Sequence, residues 1–132
     1  MPLSDFPLRV SIAVSDIRSA VEFYEGKLGL RSLHSGPSAD IADGSRVYGS
    51  AGGPALNVYQ SVHAGKSPAT MATWYVENID QIVHELAVAG VEFARYEGLE
   101  HDAAGITARA GGGRIAWFQD PDGNTFAIEA DT

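Results

Sequence analysis

The chain carries four histidines, His34, His63, His84 and His101, and no cysteine. Without cysteine, disulfides, iron–sulfur clusters, thiolate zinc sites and cysteine nucleophiles are excluded. No two histidines stand two or four residues apart, so the spacing that sets two imidazoles on one strand or helix face is missing. His84 falls among polar positions of a helical segment and His63 in a linker, and both read as solvated surface. His34 falls in a strand-like run, where it could line a site. Glu100-His101-Asp102 sets three potential ligands side by side, but consecutive side chains diverge, and the run reads as a polar loop. In Asp120-Pro-Asp-Gly-Asn the glycine is fourth and position twelve is Asp131. A calcium loop of the EF-hand type places glycine sixth and glutamate twelfth, so this run is a turn. Gly111-Gly-Gly-Arg lacks the lysine and hydroxyl of a phosphate loop, and no Gly-x-Ser-x-Gly elbow is present.

The elements that must position any site come in two copies. At a constant offset of 62, Ile12 faces Trp74, Val14 faces Val76, Asp16 faces Asn78, Ile17 faces Ile79, Val21 faces Val83 and Tyr24 faces Leu86. Val10, Ile12 and Val14 alternate with small or polar residues, the period of a half-buried strand. Asp16 and Asn78 are N-cap types. Each opens an apolar stripe at helical spacing: Ile17, Ala20, Val21, Tyr24 and Leu28 in one copy, Ile79, Ile82, Val83, Leu86 and Ala87 in the other. Gly29 and Gly90 stop the helices. Strand-like runs follow at about 31–35, 46–50 and 55–61, and again at about 92–96, 114–119 and 125–130. Turn residues separate the first set at Gly36-Pro37, Asp43-Gly44 and Gly52-Gly53-Pro54. Each half therefore reads strand–helix–strand–strand–strand, with a linker at 63–69 and a long Gly/Ala-rich loop at 98–113.

Length and composition narrow the class. A chain of 132 residues is one domain. Nine Lys+Arg against 17 Asp+Glu give a net charge of −8, which argues against nucleic acid as a partner. No apolar run is long enough for a membrane span, and the start lacks a secretory pattern. The expectation is a soluble, cytoplasmic domain without a membrane partner.

The duplicated unit, with Val14-Ser-Asp-Ile, Phe23-Tyr24, Lys27-Leu-Gly-Leu and the closing Phe118-Gln-Asp-Pro-Asp-Gly-Asn, resembles the vicinal oxygen chelate superfamily. That group holds glyoxalase I, extradiol dioxygenases, fosfomycin resistance enzymes and bleomycin resistance proteins. The resemblance spans Leu8 to Glu129 and implies an α+β fold: two tandem βαβββ modules, about 7–61 and 70–130, forming a cup-shaped mixed sheet within one domain, 1–132. It implies ligand inside the cup, helices outside and a homodimer; whether the modules pair side by side or swapped stays open. The family's enzymes hold a divalent metal with His, Gln or Glu side chains. Carried over one at a time, those positions fall on Arg9, Met71 and Ala127, with the fourth near Asn57 or Tyr59. Arginine offers donors only, and a thioether suits a hard cation poorly. The expectation is no metal and no cofactor. Glu129, two residues beyond Ala127, shares its face; it is a displaced ligand, a rim carboxylate, or a partner of Arg9.

Alternation then proposes a cup lining of Arg9, Ser11, Ala13, Asn57, Tyr59, Met71, Thr73, Tyr75, Trp117, Thr125, Ala127 and Glu129, with Trp74 and Phe118 turned to the core. The ligand-binding set is Arg9, Asn57, Tyr59, Met71, Thr73, Tyr75, Trp117, Ala127 and Glu129; no residue is assigned as catalytic. Two functions follow. One is a metal-independent protein, similar to bleomycin resistance proteins, that sequesters or carries a planar or aromatic small molecule in antibiotic resistance or natural-product chemistry. The alternative is a glyoxalase- or dioxygenase-like enzyme (lyase, isomerase or oxidoreductase) with displaced metal ligands.

Overall fold

A computed structural model describes residues 2–33 and 44–132; His34 and the turns at Gly36-Pro37 and Asp43 lie outside the described residues. The first module runs β1 (Val10–Val14), α1 (Ile17–Val21), β2 (Arg31–Ser32), β3 (Ser45–Ser50) and β4 (Gly53–Gln60). The second runs β5 (Thr70–Tyr75), α2 (Ile79–Val88), β6 (Thr107–Ala108), β7 (Arg114–Gln119) and β8 (Thr125–Ala130). The sheets are ordered β1-β4-β3-β2 and β5-β8-β7-β6. β1 lies parallel to β4 and β5 parallel to β8, while the other pairs are antiparallel. The repeat seen in the sequence is thus a repeat of topology.

Local chemistry explains both helices. The Asp16 carboxylate accepts from Arg18 N–H at 3.1 Å and Asn78 Oδ1 from Gln81 N–H at 3.2 Å, satisfying otherwise unpaired first-turn amides. Gly29 and Gly90 close the helical segments at φ +72 and +104. The first helix does not stay α-helical. After Val21 it widens into a π-helical turn, Glu22–Lys27, with Leu28 N–H on Phe23 C=O at 2.9 Å. The wider turn lets two consecutive rings, Phe23 and Tyr24, point inward together, at 6% and 0% exposure.

Those rings join the modules. Tyr24 stacks on Tyr48 of β3 at 5.8 Å and meets Phe126 of β8 edge-on at 6.0 Å, while Phe23 leans on Phe118 of β7 at 6.2 Å. β1 and β5 run alongside each other, and the helix-bearing sides of both sheets close on this one ring cluster. Trp74 joins the same core against Phe118 and Phe126, as alternation requires. The Asp120-Pro-Asp-Gly-Asn turn adds polar ties: Asp120 Oδ2 accepts from Tyr24 O–H at 2.6 Å, Asn124 Nδ2 donates to Ala13 C=O at 2.8 Å, and Asp122 Oδ2 accepts from Ser15 N–H at 3.0 Å. Burial, then the Asp120 carboxylate, push the Tyr24 phenol far above its ordinary range, so it remains a donor. Burial and the hydrogen bond to Glu25 raise Tyr48 likewise. Arg114 clamps Asp80 of α2 with two bonds, 3.0 and 2.8 Å, which hold that carboxyl below its usual range.

Two expectations need correction. The run at 92–96 forms only a single bridge, Phe93 to Phe118, with Ala94 N–H on Trp117 C=O. The rest of that edge is supplied by β6, from within the segment read as a loop, pairing Thr107 with Ile115 and Ala108 with Arg114. An excursion of the chain between 95 and 106 therefore splits the outer strand in two. Among the described residues, no helix is long and apolar enough to cross a membrane.

Candidate functional site

Each sheet has one face turned away from the helices, and the candidate residues distribute over these two open faces. In the first module the register sets Asn57 between Ser11 and Val47, and Tyr59 between Ala13 and Ser45. Arg9 Nη1 donates to Asn57 Oδ1 at 3.1 Å, which fixes a cation and an amide as one unit at the strand end. Tyr59 is 41% exposed beside them.

In the second module the register sets Ala127 between Thr73 and Trp117, and Glu129 between Tyr75 and Ile115. Ala127 is fully buried between its neighbours, whereas Tyr75 is 76% exposed. Met71 departs from alternation. The register shifts between Thr70 and Ala72, so Met71 sits in a bulge, half-buried against the hydrophobic core.

The excursion at 95–106 builds the aromatic part of this face, which the sequence reading missed. Tyr96 meets Trp117 edge-on at 5.3 Å and 82°, and the His101 ring lies 6.4 Å from each. The imidazole is fully engaged. Its Nε2 accepts from Tyr96 N–H at 3.0 Å, so Nδ1 carries the hydrogen and donates to Gly105 C=O at 2.8 Å, with Thr107 Oγ1 at 3.0 Å. Arg95 donates to the carbonyls of Asp102 and Ala103 at 2.9 and 2.8 Å, and Asp102 Oδ1 accepts from Ala104 and Ile106 N–H. His101 is thus a positioning residue for two rings, not an idle polar loop residue. The signal was weak: one histidine in a Gly/Ala-rich run, with its partners on backbone.

The pairing of Arg9 with Glu129 does not form. Glu129 Oε2 pairs with Arg109 Nη1 at 2.5 Å, with the Glu129 side chain 19% exposed, and Arg9 is held by Asn57. The physical reason is the fold: the two open faces lie on opposite sides of the shared core. His63 and His84 are exposed.

The family's metal is tested by the donors present. Arg9 has only N–H groups, Met71 offers a thioether that suits a hard cation poorly, Ala127 has no donor atom, and Glu129 is paired with Arg109. Among the described residues, no three His, Asp or Glu side chains cluster as a metal site would need. These residues do not fit a divalent ion.

No curated protein matches the sequence significantly. Solved structures do match in fold. A glyoxalase/dioxygenase from Nostoc punctiforme aligns at TM-score 0.69 and 16% identity, covering 100% of this chain and 95% of the other. A glyoxalase/bleomycin resistance protein/dioxygenase from Alicyclobacillus acidocaldarius aligns at 0.68 and 17%, covering 99% and 95%. The fosfomycin resistance protein FosX from Listeria monocytogenes aligns at 0.68 and 15%, covering 96% and 93%. The family model for the glyoxalase/bleomycin resistance protein/dioxygenase superfamily matches residues 7–128, and the chain belongs to that superfamily.

Proposed function

We propose that the protein is a metal-independent small-molecule-binding protein of this superfamily, similar to its bleomycin resistance branch, that sequesters or carries a planar, aromatic compound. The observation that carries this reading is the exchange of chemistry on the open faces. The family's metal-ligand positions hold Arg9, Met71 and Ala127, while a ring cluster of Tyr96, His101 and Trp117 stands on the same face as Ala127. A flat ligand gains area burial there and about 0.5–1.5 kcal/mol more for each well-placed ring contact. Arg9 and Asn57, already hydrogen-bonded to each other, serve as polar anchors on the first module's face.

A cup needs two walls, and the walls of one chain look away from each other. The reading therefore includes a homodimer, in which the Arg9–Asn57–Tyr59 face of one copy meets the Thr73–Tyr75–Trp117 face of the other. The ligand sits between them, out of water, in the kind of mostly apolar site with few polar anchors that small molecules favour.

The test is intrinsic fluorescence against a panel of planar compounds. Binding quenches Trp117 saturably, in the presence of chelator, and the quench disappears in Trp117→Phe. A quench that persists in that variant, or one that requires added metal, refutes the reading.

A further inference from the structure

The two halves of the intermodule interface are built on the same plan but are not equally filled. On one side the β7–β8 turn docks on the first module, where Phe23 and Tyr24 fill the space and Asp120, Asp122 and Asn124 supply the ties described above. The counterpart is the β3–β4 turn, Ser50-Ala-Gly-Gly, beside β5 and α2. Its one polar side chain is that of Ser50, and among the described residues no hydrogen bond is seen joining the turn to the second module. At the repeat offset, Tyr24 is replaced by Leu86 and Phe23 by the exposed Glu85.

Volume lost with those rings is left open. A cavity of about 700 Å³ lies there, walled by Leu30, Trp74, Ile82, Leu86, Phe118 and Ile128 among others. That size falls within the range of small-molecule sites. It opens beside Arg31, the one charged side chain among the described residues that line it. The cavity is on the helix side of the sheets, so it is distinct from the open faces.

We propose that this cavity is a second binding site, for a carboxylate with an apolar tail. The tail replaces the missing rings against leucine, isoleucine and tryptophan, and the carboxylate meets the Arg31 guanidinium, which has no carboxylate partner among the described residues. The chain's net charge of −8 does not forbid an anion here, because charges beyond a Debye length of about 8 Å are largely screened in physiological salt.

The chain has two tryptophans, so in Trp117→Phe the emission reports Trp74 alone. Dodecanoate titrated into that variant shifts the Trp74 emission saturably, and dodecanol binds a few-fold more weakly. Adding Leu86→Tyr, which restores the ring of the first copy, removes the response; Ile82→Phe does the same by a second route, with circular dichroism confirming that each variant is folded. Arg31→Gln brings dodecanoate to the affinity of dodecanol. No saturable response, or one that survives both filling variants, overturns the site. Equal affinity for the acid and the alcohol overturns the carboxylate assignment. Failure here leaves the Trp117 quench on the open face untouched, and the reverse also holds.

Discussion

Replacing His101 with alanine removes two ring hydrogen bonds that set Tyr96 against Trp117: Tyr96 N–H to Nε2 at 3.0 Å and Nδ1–H to Gly105 C=O at 2.8 Å. The first is exposed and the second part-buried, so net contributions of about 0.5 and 1 kcal/mol give a loss of about 1.5 kcal/mol. Because 1.4 kcal/mol is a factor of ten, the Tyr96 amide should exchange about tenfold faster in His101→Ala. Trp117, no longer flanked edge-on by both rings, becomes wetter and its emission moves to the red. Affinity for a planar ligand falls in step, because the platform is no longer preorganised. The assay is hydrogen exchange resolved at Tyr96, with Trp117 emission and ligand titration on the same samples. His63→Ala, at an exposed position, is the control and should change none of the three. Unchanged Tyr96 exchange with unchanged emission would refute the assignment of His101 as the residue that positions the rings.

Other consequences follow from the same geometry. Tyr24→Phe removes the 2.6 Å bond to buried Asp120 and should cost about 2 kcal/mol. It should lower the urea midpoint at constant slope; an unmoved midpoint would mean that the tie does not hold the modules together. Gly65 has φ +66, and a Cβ there would stand 2.0 Å from Asp122 C=O. Gly65→Ala should therefore destabilise by well over about 1 kcal/mol in the same measurement, and a neutral result would show that the linker does not seat on the turn. Tyr24 and Tyr48 both have folded pKa values raised above the ordinary tyrosine value. Their contribution is complete below about pH 10 and is lost as pH climbs through the raised values. Phenolate absorbance of these two rings should then appear together with loss of circular dichroism, not before it. Sedimentation should find a dimer that Tyr75→Asp weakens; a monomer at all concentrations that bind ligand would contradict the shared cup.

What the sequence made legible was what short-range chemistry fixes. The capping residues Asp16 and Asn78, the glycines after each helix and the alternation of Val10, Ile12 and Val14 all have a local cause, and each stands where that cause puts it. Trp74 and Phe118 could be assigned to the core for the same reason. Alternation gave no warning of the bulge at Met71, because nothing in the side chains announces a one-residue shift of register. The π-helical turn was invisible too, since a stripe that includes Tyr24 but skips Phe23 fits an ordinary helix. The role of His101 depends on backbone partners at 96 and 105, brought near only when the excursion closes on β7. The Arg9–Glu129 pair failed on the arrangement of the modules, which turns on one tyrosine ring reaching both sheets.

Metal content decides the central claim. Protein purified without chelator, then equilibrated with nickel, manganese or ferrous ion and passed through a desalting column, should retain far less than one equivalent by elemental analysis. Its planar-ligand quench should be identical before and after. Stoichiometric retention of an ion, with ligand binding that depends on it, would contradict the account and restore the enzyme reading with displaced ligands.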